Sequence, residues 1–298
     1  ATPSRLHAPM VRKALERGLH VFCEKPFTLD WRESEALAAL AAERGLANQV
    51  GYHYRHVGTF REMKRLVEAG AIGEVTHALA EAYGPVVLKP KGATWRTDRA
   101  EGGGCLYDYA AHPVDLVIWL FGLPAQVSGT ALNSVFSAET DDEVYATFGY
   151  SGGLSVHLSV NWSDESFRKM STKITLIGTK GRITADRQEL QAYLRDGAAA
   201  PPGYREGWTV KYITELTPTA RYYLRGEEYS DQIDAFVDAA AGRGARSPND
   251  FASAAGTDRA IALMLDDAAR ERAVAPETVR PAPARARRRG FFGLGFAR

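Results

Sequence analysis

Glu24-Lys25-Pro26 places a lysine between a carboxylate and a proline, directly after the short apolar segment His20-Val21-Phe22-Cys23. The apolar segment predicts a β-strand, and the loop at the carboxyl end of a parallel strand is where α/β sheets bind ligands. A cation there can lie beside a cofactor ring and a substrate hydroxyl, and partial burial would lower its pKa and favour proton transfer. Lys25 is therefore a candidate catalytic residue, and the alternative is an exposed loop lysine.

Asp108 and His112 stand four residues apart, after the run Gly102-Gly103-Gly104. On one helix this spacing places a carboxylate and an imidazole on the same face, within reach of one substrate. Asp115 adds a third polar group on that side. The glycines predict a backbone that bends freely and approaches a ligand. The alternative is that Asp108 caps a helix and His112 is a satisfied core residue.

Pro113 bears on where this helix begins, because proline is tolerated in the first turn of a helix but not in its interior. A helix that begins near Ala111 would hold Asp108 and His112 at its N-terminal end. The helix dipole disfavours a charged imidazole there, so we expect a neutral His112 that can act as a base.

Trp95-Arg96 precedes the glycines and is an aromatic–cation pair that suits either a polar ligand site or surface packing. The other histidines lack metal-ligand spacing, so we predict no metal site. No G-x-G-x-x-G phosphate loop occurs in the sequence, and the three consecutive glycines have the wrong spacing for one.

The elements that position these residues fall into two groups. Residues 1–52 predict alternating helix and strand, which is typical of a parallel sheet with right-handed crossovers. Helices are expected over 8–17 and from a capping box at Asp30 and Glu33 to Gly45, with strands over 19–23 and 46–51.

Residues 53–272 predict an α+β domain with a mostly antiparallel sheet, because short alternating strands follow one another through tight turns. The predicted strands cover 75–83, 144–148, 154–160, 173–177, 182–185 and 190–194, and the predicted helices cover 59–69, 107–121, 226–241 and 250–269. The segment 209–225 is ambiguous. Residues 273–298 are rich in Pro, Ala and Arg and predict a disordered tail.

Composition limits the partners that we expect. The chain has 298 residues, 45% of them hydrophobic, and six arginines without any acid in residues 280–298, so the rest is mildly acidic despite a net charge of +1. That argues against a nucleic-acid surface on the folded body. No apolar run is long enough for a membrane span, and no secretory signal begins the sequence. The two distant cysteines, Cys23 and Cys105, favour a reducing, cytoplasmic location.

Taken together, these stretches resemble the Gfo/Idh/MocA family of NAD(P)-dependent oxidoreductases, which includes glucose–fructose oxidoreductase and inositol dehydrogenase. The matching text runs in order over residues 1 to about 125: Thr2-Pro3 with His7, residues 14–21 leading into Glu24-Lys25-Pro26, residues 50–55, Gly70-Ala71-Ile72-Gly73, Trp95-Arg96, Gly102-Gly103-Gly104, and Asp108 to Leu116.

The resemblance implies a fold and an activity. The fold is an α/β remnant of a Rossmann domain in residues 1–52, followed by a substrate-binding and oligomerisation α+β domain in residues 53–272 with a mostly antiparallel open sheet. The activity is hydride transfer between NAD or NADP and a secondary hydroxyl of a sugar, polyol or related small molecule. Relatives often form homodimers or homotetramers through the open sheet face.

The resemblance also assigns roles to residues. Lys25 would lie beside the nicotinamide and stabilise the developing alkoxide, and His112 would be the general acid/base on the substrate oxygen. Asp108 would orient His112 or contact the sugar. The implied cofactor-binding residues are Thr2, Pro3, His7, Glu24, Lys25, Pro26, Trp95 and Arg96.

One departure from the family leaves alternatives open. The glycine loop, its helix and the acidic residue for the ribose have no counterpart in the sequence, which predicts an N-terminally incomplete chain. One alternative is a non-catalytic binding or oligomerisation module that has lost its nucleotide-binding half. Another is a relative that uses bound NAD in the net hydrolysis of a glycoside.

Overall fold

A computed structural model describes residues 2–86, 95–244 and 247–274, and its N-terminal part is a small parallel α/β unit. Strands β1 (Val21–Cys23) and β2 (Asn48–Val50) pair in parallel, and helices α1 (His7–Glu16) and α2 (Trp31–Glu43) accompany them. The Asp30 carboxylate accepts a hydrogen bond from the Arg32 N–H at 3.0 Å and so caps α2. The predicted strand–helix–strand pattern is confirmed, although in the described residues Glu33 does not complete the capping box.

The rest of the chain builds an eight-stranded sheet in the order β10-β9-β8-β7-β3-β6-β5-β4. All neighbouring strands are antiparallel except β3 and β6, so the predicted mostly antiparallel sheet is confirmed. Its strands are β3 (Val75–Tyr83), β4 (Gln126–Asn133), β5 (Glu143–Gly149), β6 (Ser155–Asn161), β7 (Ser171–Gly178), β8 (Gly181–Ala185), β9 (Glu189–Leu194) and β10 (Gly207–Tyr212).

Helices α3 (Gly58–Glu68) and α4 (Ala111–Phe121) cover one face of this sheet, and α7 (Phe251–Val274) packs against β4. The short α5 (Ile213–Leu216) follows β10, and α6 (Glu227–Ala240) contacts β2 of the small parallel unit. Helix α4 is buried along residues 111–118 because it lies between the sheet and α7. The residues of β3 that face it are Ala78, Ala80 and Ala82, and such small side chains let a helix approach closely.

Helix α7 joins the small parallel unit to the sheet domain. Its first residue, Phe251, stacks on Phe27 with ring centroids 4.2 Å apart, and its N–H donates to the Asn48 side chain at 2.7 Å. The carbonyl of Asn249 accepts from the Val50 N–H at 2.8 Å. The loop after Lys25 and the end of β2 are therefore fixed by the helix that closes the second domain.

Two strands, β4 and β10, were not predicted. Strand β4 is polar and contains Gly129 at a positive φ of 62°, where its register with β5 shifts, so it lacks a clean alternation. Strand β10 begins the segment that was ambiguous, and its large side chains, Trp208, Val210 and Tyr212, are exposed rather than buried. The position of β10 is determined by its pairing with β9 rather than by a buried apolar face.

Helix α7 continues to Val274, past the predicted helix end at 269 and the predicted tail boundary at 273. Residues 275–298, with all six arginines of the predicted tail, lie outside the described residues. Within the described ranges, no helix is long and apolar enough to cross a membrane.

Candidate active site

A cavity of about 680 Å³ opens where the carboxyl ends of β1 and β2 meet the second domain. Because these strands are parallel, the residues that follow them lie at one edge of the small sheet. The cavity contains every sequence-predicted site residue except Pro26: Thr2, Pro3, His7, Glu24, Lys25, Trp95, Arg96, Asp108 and His112.

Lys25 points at Asp108. Its ammonium Nζ lies 2.7 Å from the Asp108 Oδ1 atom and 2.8 Å from the Asp108 carbonyl oxygen. The Lys25 side chain is 15% exposed and that of Asp108 is 8% exposed, so the ion pair is largely shielded from water. These contacts fix the position of the ammonium group, and a group that stabilises an alkoxide must be fixed in this way.

Asp108 also accepts from Arg96, whose Nε lies 2.8 Å from the Asp108 Oδ2 atom. Burial raises the pKa of Asp108, but Lys25 and Arg96 outweigh burial and hold it below its ordinary value. Asp108 is therefore a carboxylate. Among the contacts of the described residues it binds these two cations and has no hydrogen bond to His112, although a role in orienting His112 was one expectation.

Asp108 and His112 do not share one regular helix. Asp108 lies in a π-helical turn over Leu106–Ala110, and α4 begins at Ala111. Such a single turn is common at functional sites, and here it carries both side chains to the same cavity. The predicted helix start near Ala111 is confirmed.

His112 is neutral. Burial lowers the pKa of its imidazole well below the ordinary value, and the charges of Lys25 and Arg187 lower it further. Its Nδ1 atom is buried and has no hydrogen-bond partner among the described residues. Rings of Tyr52, Tyr54 and His53 surround it edge to face at centroid distances of 6.3, 5.0 and 5.1 Å. A neutral imidazole in this environment can accept a proton from a bound hydroxyl.

The three glycines support the Trp95-Arg96 turn rather than approach a ligand directly. A Cβ atom on Gly103 would lie 2.5 Å from the carbonyl oxygens of both Trp95 and Arg96. The Gly104 N–H donates to the Arg96 carbonyl at 3.0 Å, and Gly104 has a φ of 108°. The glycines thus bring Arg96 to Asp108, and its guanidinium lies 4.7 Å from the centroid of the Trp95 ring.

Pro26 lies behind the cavity. Its carbonyl oxygen pairs with His7 Nδ1 at 2.8 Å, which ties the Lys25 loop to α1. Pro26 was predicted among the cofactor-binding residues, and it is not one of the residues that line the cavity.

Asp115 does not belong to the cavity, and its prediction as a third polar group on that side is wrong. It is 1% exposed and forms a bidentate ion pair with Arg55, at 2.8 Å from Nε and 2.5 Å from Nη2. Thr257 on α7 donates to the same carboxylate at 3.1 Å. Asp115 therefore joins α4 to α7. Its spacing from His112 in the sequence had led to the prediction that it faces the same side as Asp108 and His112.

Several cavity residues were missed by the sequence analysis: His53, Tyr54, Arg187, Arg225 and Tyr229. His53 and Tyr54 follow β2 and so occupy the same sheet edge as Lys25, a position that could have indicated them. Arg187 lies between β8 and β9, and Arg225 precedes α6. Only the tertiary fold brings these two segments to the cavity, because no local spacing relates them to Lys25.

The part of the chain that the structure describes fits the nicotinamide end of a dinucleotide. Trp95 is 36% exposed and presents an aromatic surface to the cavity beside Lys25, while Gly51 leaves room next to the Glu24 carboxylate. No G-x-G-x-x-G loop that would hold the pyrophosphate occurs in the sequence. Among the described residues, no group of three metal-ligating side chains could hold an ion.

Comparison with known families agrees with the fold and the cavity. Residues 1–52 match the model of the oxidoreductase family with an NAD-binding Rossmann fold, and residues 60–184 match the GFO/IDH/MocA C-terminal domain. The two matches together cover more than half of the chain. The chain therefore belongs to the Gfo/Idh/MocA family.

Individual relatives point the same way. The chain is 33% identical over 187 residues to a dTDP-3,4-didehydro-2,6-dideoxy-alpha-D-glucose 3-reductase of Streptomyces violaceoruber, covering 62% of this chain and 52% of that protein. It is 32% identical over 151 residues to the scyllo-inositol 2-dehydrogenase (NADP(+)) IolW of Bacillus subtilis, covering 50% of this chain and 41% of that protein.

A solved structure, a levoglucosan dehydrogenase in complex with NADH and levoglucosan, superposes with a TM-score of 0.78 at 25% identity. The superposition covers 91% of this chain and 77% of that chain. In sequence, the chain spans about half or less of the length of the curated relatives it matches first.

Proposed function

We propose that the protein transfers a hydride between NAD or NADP and a secondary hydroxyl of a sugar, polyol or related molecule. One observation carries this proposal: a directed ammonium group, Lys25, and a neutral imidazole, His112, line one cavity at the carboxyl end of the small parallel sheet. The relatives named as inositol and levoglucosan dehydrogenases support the substrate class.

In this proposal the cofactor residues are those on the Lys25 side of the cavity. Thr2, Pro3, Glu24, Trp95 and Arg96 would hold the nicotinamide end, while His7 and Pro26 would keep the loop in place. Bound NAD or NADP supplies the hydride chemistry.

The chain's own residues would handle the proton and the charge. His112 accepts the hydroxyl proton of the alcohol, and Lys25 stabilises the alkoxide that develops on the same oxygen. Asp108 holds the Lys25 ammonium in place, which is the role that its contacts support. General acid/base help of this kind typically contributes about 10² to 10⁴ in rate.

The proposal is tested by cofactor binding and turnover. Calorimetric titration with NADH and NADPH should show binding, and reduction of NAD⁺ or NADP⁺ should be observed at 340 nm with members of a panel of inositols, levoglucosan and hexoses. Binding of neither cofactor would favour the alternative of a non-catalytic module. Product formed from a glycoside without added cofactor would favour net hydrolysis.

We also propose that copies of the chain associate through the open face of the eight-stranded sheet, as a homodimer or homotetramer. This face carries exposed aromatic and apolar side chains on β9 and β10, which is typical of interaction surfaces. They are Tyr193, Trp208, Val210 and Tyr212. In the described residues, no helix covers this side of β9 and β10.

A cytoplasmic location is a further proposal, supported by two cysteines, Cys23 and Cys105, that are both buried and free. Fractionation of cells that express the protein checks it.

A further inference from the structure

We propose that the substrate carries a carboxylate, and that Arg225 binds this carboxylate beside the aromatic wall formed by Tyr54, His53 and Tyr229. The inference rests on the proposed dehydrogenase function and specifies its substrate as an acidic sugar or polyol. Arg187 lies at the other end of the same wall and is paired with Glu228.

The charges of the cavity are unequally matched. Lys25 and Arg96 both bind Asp108, and Arg187 is paired with Glu228. Arg225 lines the mouth of the cavity, is exposed to solvent, and has no ion pair or side-chain hydrogen bond within the described ranges. The other carboxylate of the lining, Glu24, follows β1 and contacts its own loop. One guanidinium in the cavity is therefore not matched by an acid of the chain.

The aromatic wall places the two arginines. His53 stacks on Tyr229 at a centroid distance of 4.6 Å and contacts Tyr54 in a tilted arrangement at 4.4 Å. The guanidinium carbon of Arg187 lies 5.9 Å from the Tyr54 ring centroid, and that of Arg225 lies 5.9 Å from the Tyr229 ring centroid. A cation–π contact with a ring reduces the freedom of a guanidinium, whose N–H donors can still bind a ligand.

The rest of this wall adds no compensating negative charge. Burial, with the charges of Arg187, Lys25 and Arg225, lowers the pKa of His53 to about 3, so this ring is neutral at physiological pH. Lys25 and His112 line the same cavity. A ligand long enough to reach from Lys25 to Tyr229 would therefore meet an unmatched positive charge.

A carboxylate fits this charge better than a phosphate does. A guanidinium presents two parallel N–H donors that match the two oxygens of a carboxylate. A phosphate monoester carries about two charges at neutral pH and three acceptor oxygens, and the only other nearby cation on this wall, Arg187, is already paired with Glu228.

The test compares matched ligands on the complete chain. Dissociation constants for D-glucose, D-glucuronate and D-glucose 6-phosphate, and for D-galactose and D-galacturonate, are measured by calorimetry at low and at physiological salt. An ion pair with an exposed guanidinium is weakened by solvent, so we expect each uronate to bind about 2- to 5-fold more tightly than its neutral partner. Arg225→Gln should remove this preference, so that each uronate binds no more tightly than its neutral partner.

Two further variants make the test specific. Arg12→Gln removes an exposed charge on α1 outside the cavity and should retain the full preference. Arg225→Lys keeps the charge but loses the fork, so it should retain part of the preference. Circular dichroism and the melting temperature show whether each variant folds. If Arg225→Gln does not fold, a reduced uronate preference in Arg225→Lys is the result that supports the inference.

Equal affinity for acid and neutral ligands, failure to bind either, or a preference that persists in both Arg225 variants would overturn the inference. Tighter binding of the phosphate than of the uronates would overturn the carboxylate assignment. The proposed function fails separately: uronate binding that depends on Arg225, without oxidation by NAD⁺ or NADP⁺, would contradict the dehydrogenase and leave the carboxylate site standing.

Discussion

Lys25 and His112 are the two residues whose chemistry the proposed reaction needs most. One is an ammonium group fixed by a buried carboxylate, and the other is an imidazole kept neutral by burial and by nearby cations. The two side chains line the same cavity but have different neighbours. A positive charge and a proton acceptor at one oxygen are what oxidation of an alcohol requires.

Replacing either residue should reduce turnover strongly while leaving the fold intact. We expect Lys25→Met and His112→Gln each to lower kcat/KM by at least about 10²-fold, because each removes a direct interaction with the reacting oxygen. Because the pKa of His112 lies well below its ordinary value, the wild-type kcat/KM should not fall between pH 8 and pH 6 through protonation of this residue.

The matched control is Lys13→Met, which removes an exposed lysine of α1 outside the cavity. Steady-state assays with the best substrate of the panel compare the three variants. Unchanged turnover in Lys25→Met or His112→Gln would mean that the roles are assigned wrongly.

The site residues that could be predicted are those whose role is indicated by their neighbours in the sequence. Lys25 follows a strand, and Asp108 precedes His112 by a fixed spacing, so all three could be predicted to face a ligand. Asp115 was predicted on the wrong side because its partner Arg55 is sixty residues away in sequence. Arg225 was not predicted at all because it approaches the cavity only through the tertiary fold.

At the scale of elements, helix α7 is the part that holds the Lys25 loop. Asp258 on α7 is buried, and one of its oxygens accepts from the Thr28 N–H at 3.1 Å and from the Ser34 hydroxyl at 2.6 Å. Its other oxygen, Oδ1, has no partner among the described residues. Burial raises the pKa of Asp258 from 3.8 to about 7, because the charged form is poorly solvated there.

This raised pKa gives a prediction for stability. In the folded state Asp258 keeps its proton up to about pH 7, while in the unfolded chain it loses the proton near 3.8. The folded state therefore binds more protons between these values, and the contribution of this group to stability falls as pH rises from about 4 to 7. Asp258→Asn should remove that fall.

The measurement is urea unfolding at several pH values between 4.5 and 8. The unfolding free energy of Asp258→Asn minus that of the wild type should increase with pH by up to about 4 kcal/mol. Asp266→Asn, which changes an exposed carboxylate of the same helix, should give a constant difference. Parallel curves for Asp258→Asn and the wild type would contradict the buried-carboxylate account.

The strands that could be predicted from the sequence are those in which buried and exposed residues alternate regularly. Strand β3 and the hairpin of β5 and β6 have buried residues at every second position and were predicted. Strand β10 has its large side chains exposed, and β4 contains a bulge at Gly129, so neither showed that pattern. Their neighbours in the sheet determine them, and such pairing is not encoded locally.

At the scale of the whole molecule, the two faces of the eight-stranded sheet differ. One face is covered by α3 and α4, while Trp208 on the other is 52% exposed and lies 5.3 Å from the Tyr193 ring. An aromatic pair of this kind at a surface is a typical centre for an interface. This asymmetry supports the proposed association of copies through the open face.

Trp208→Glu should therefore shift the protein to a smaller assembly, because it places a charge in a contact that would otherwise exclude water. Light scattering coupled to size-exclusion chromatography measures the mass. Tyr223→Glu, which changes an aromatic residue that is 68% exposed and outside the sheet, should leave the mass unchanged. A wild-type protein that is monomeric at micromolar concentration would contradict the interface.

The most direct test of the central claim is a crystal structure of the chain with a polyol or sugar acid bound in the cavity. The account predicts that one substrate hydroxyl oxygen lies within about 3.2 Å of both the Lys25 Nζ atom and a ring nitrogen of His112. A ligand whose hydroxyls reach only one of these groups, or that binds elsewhere, would contradict it.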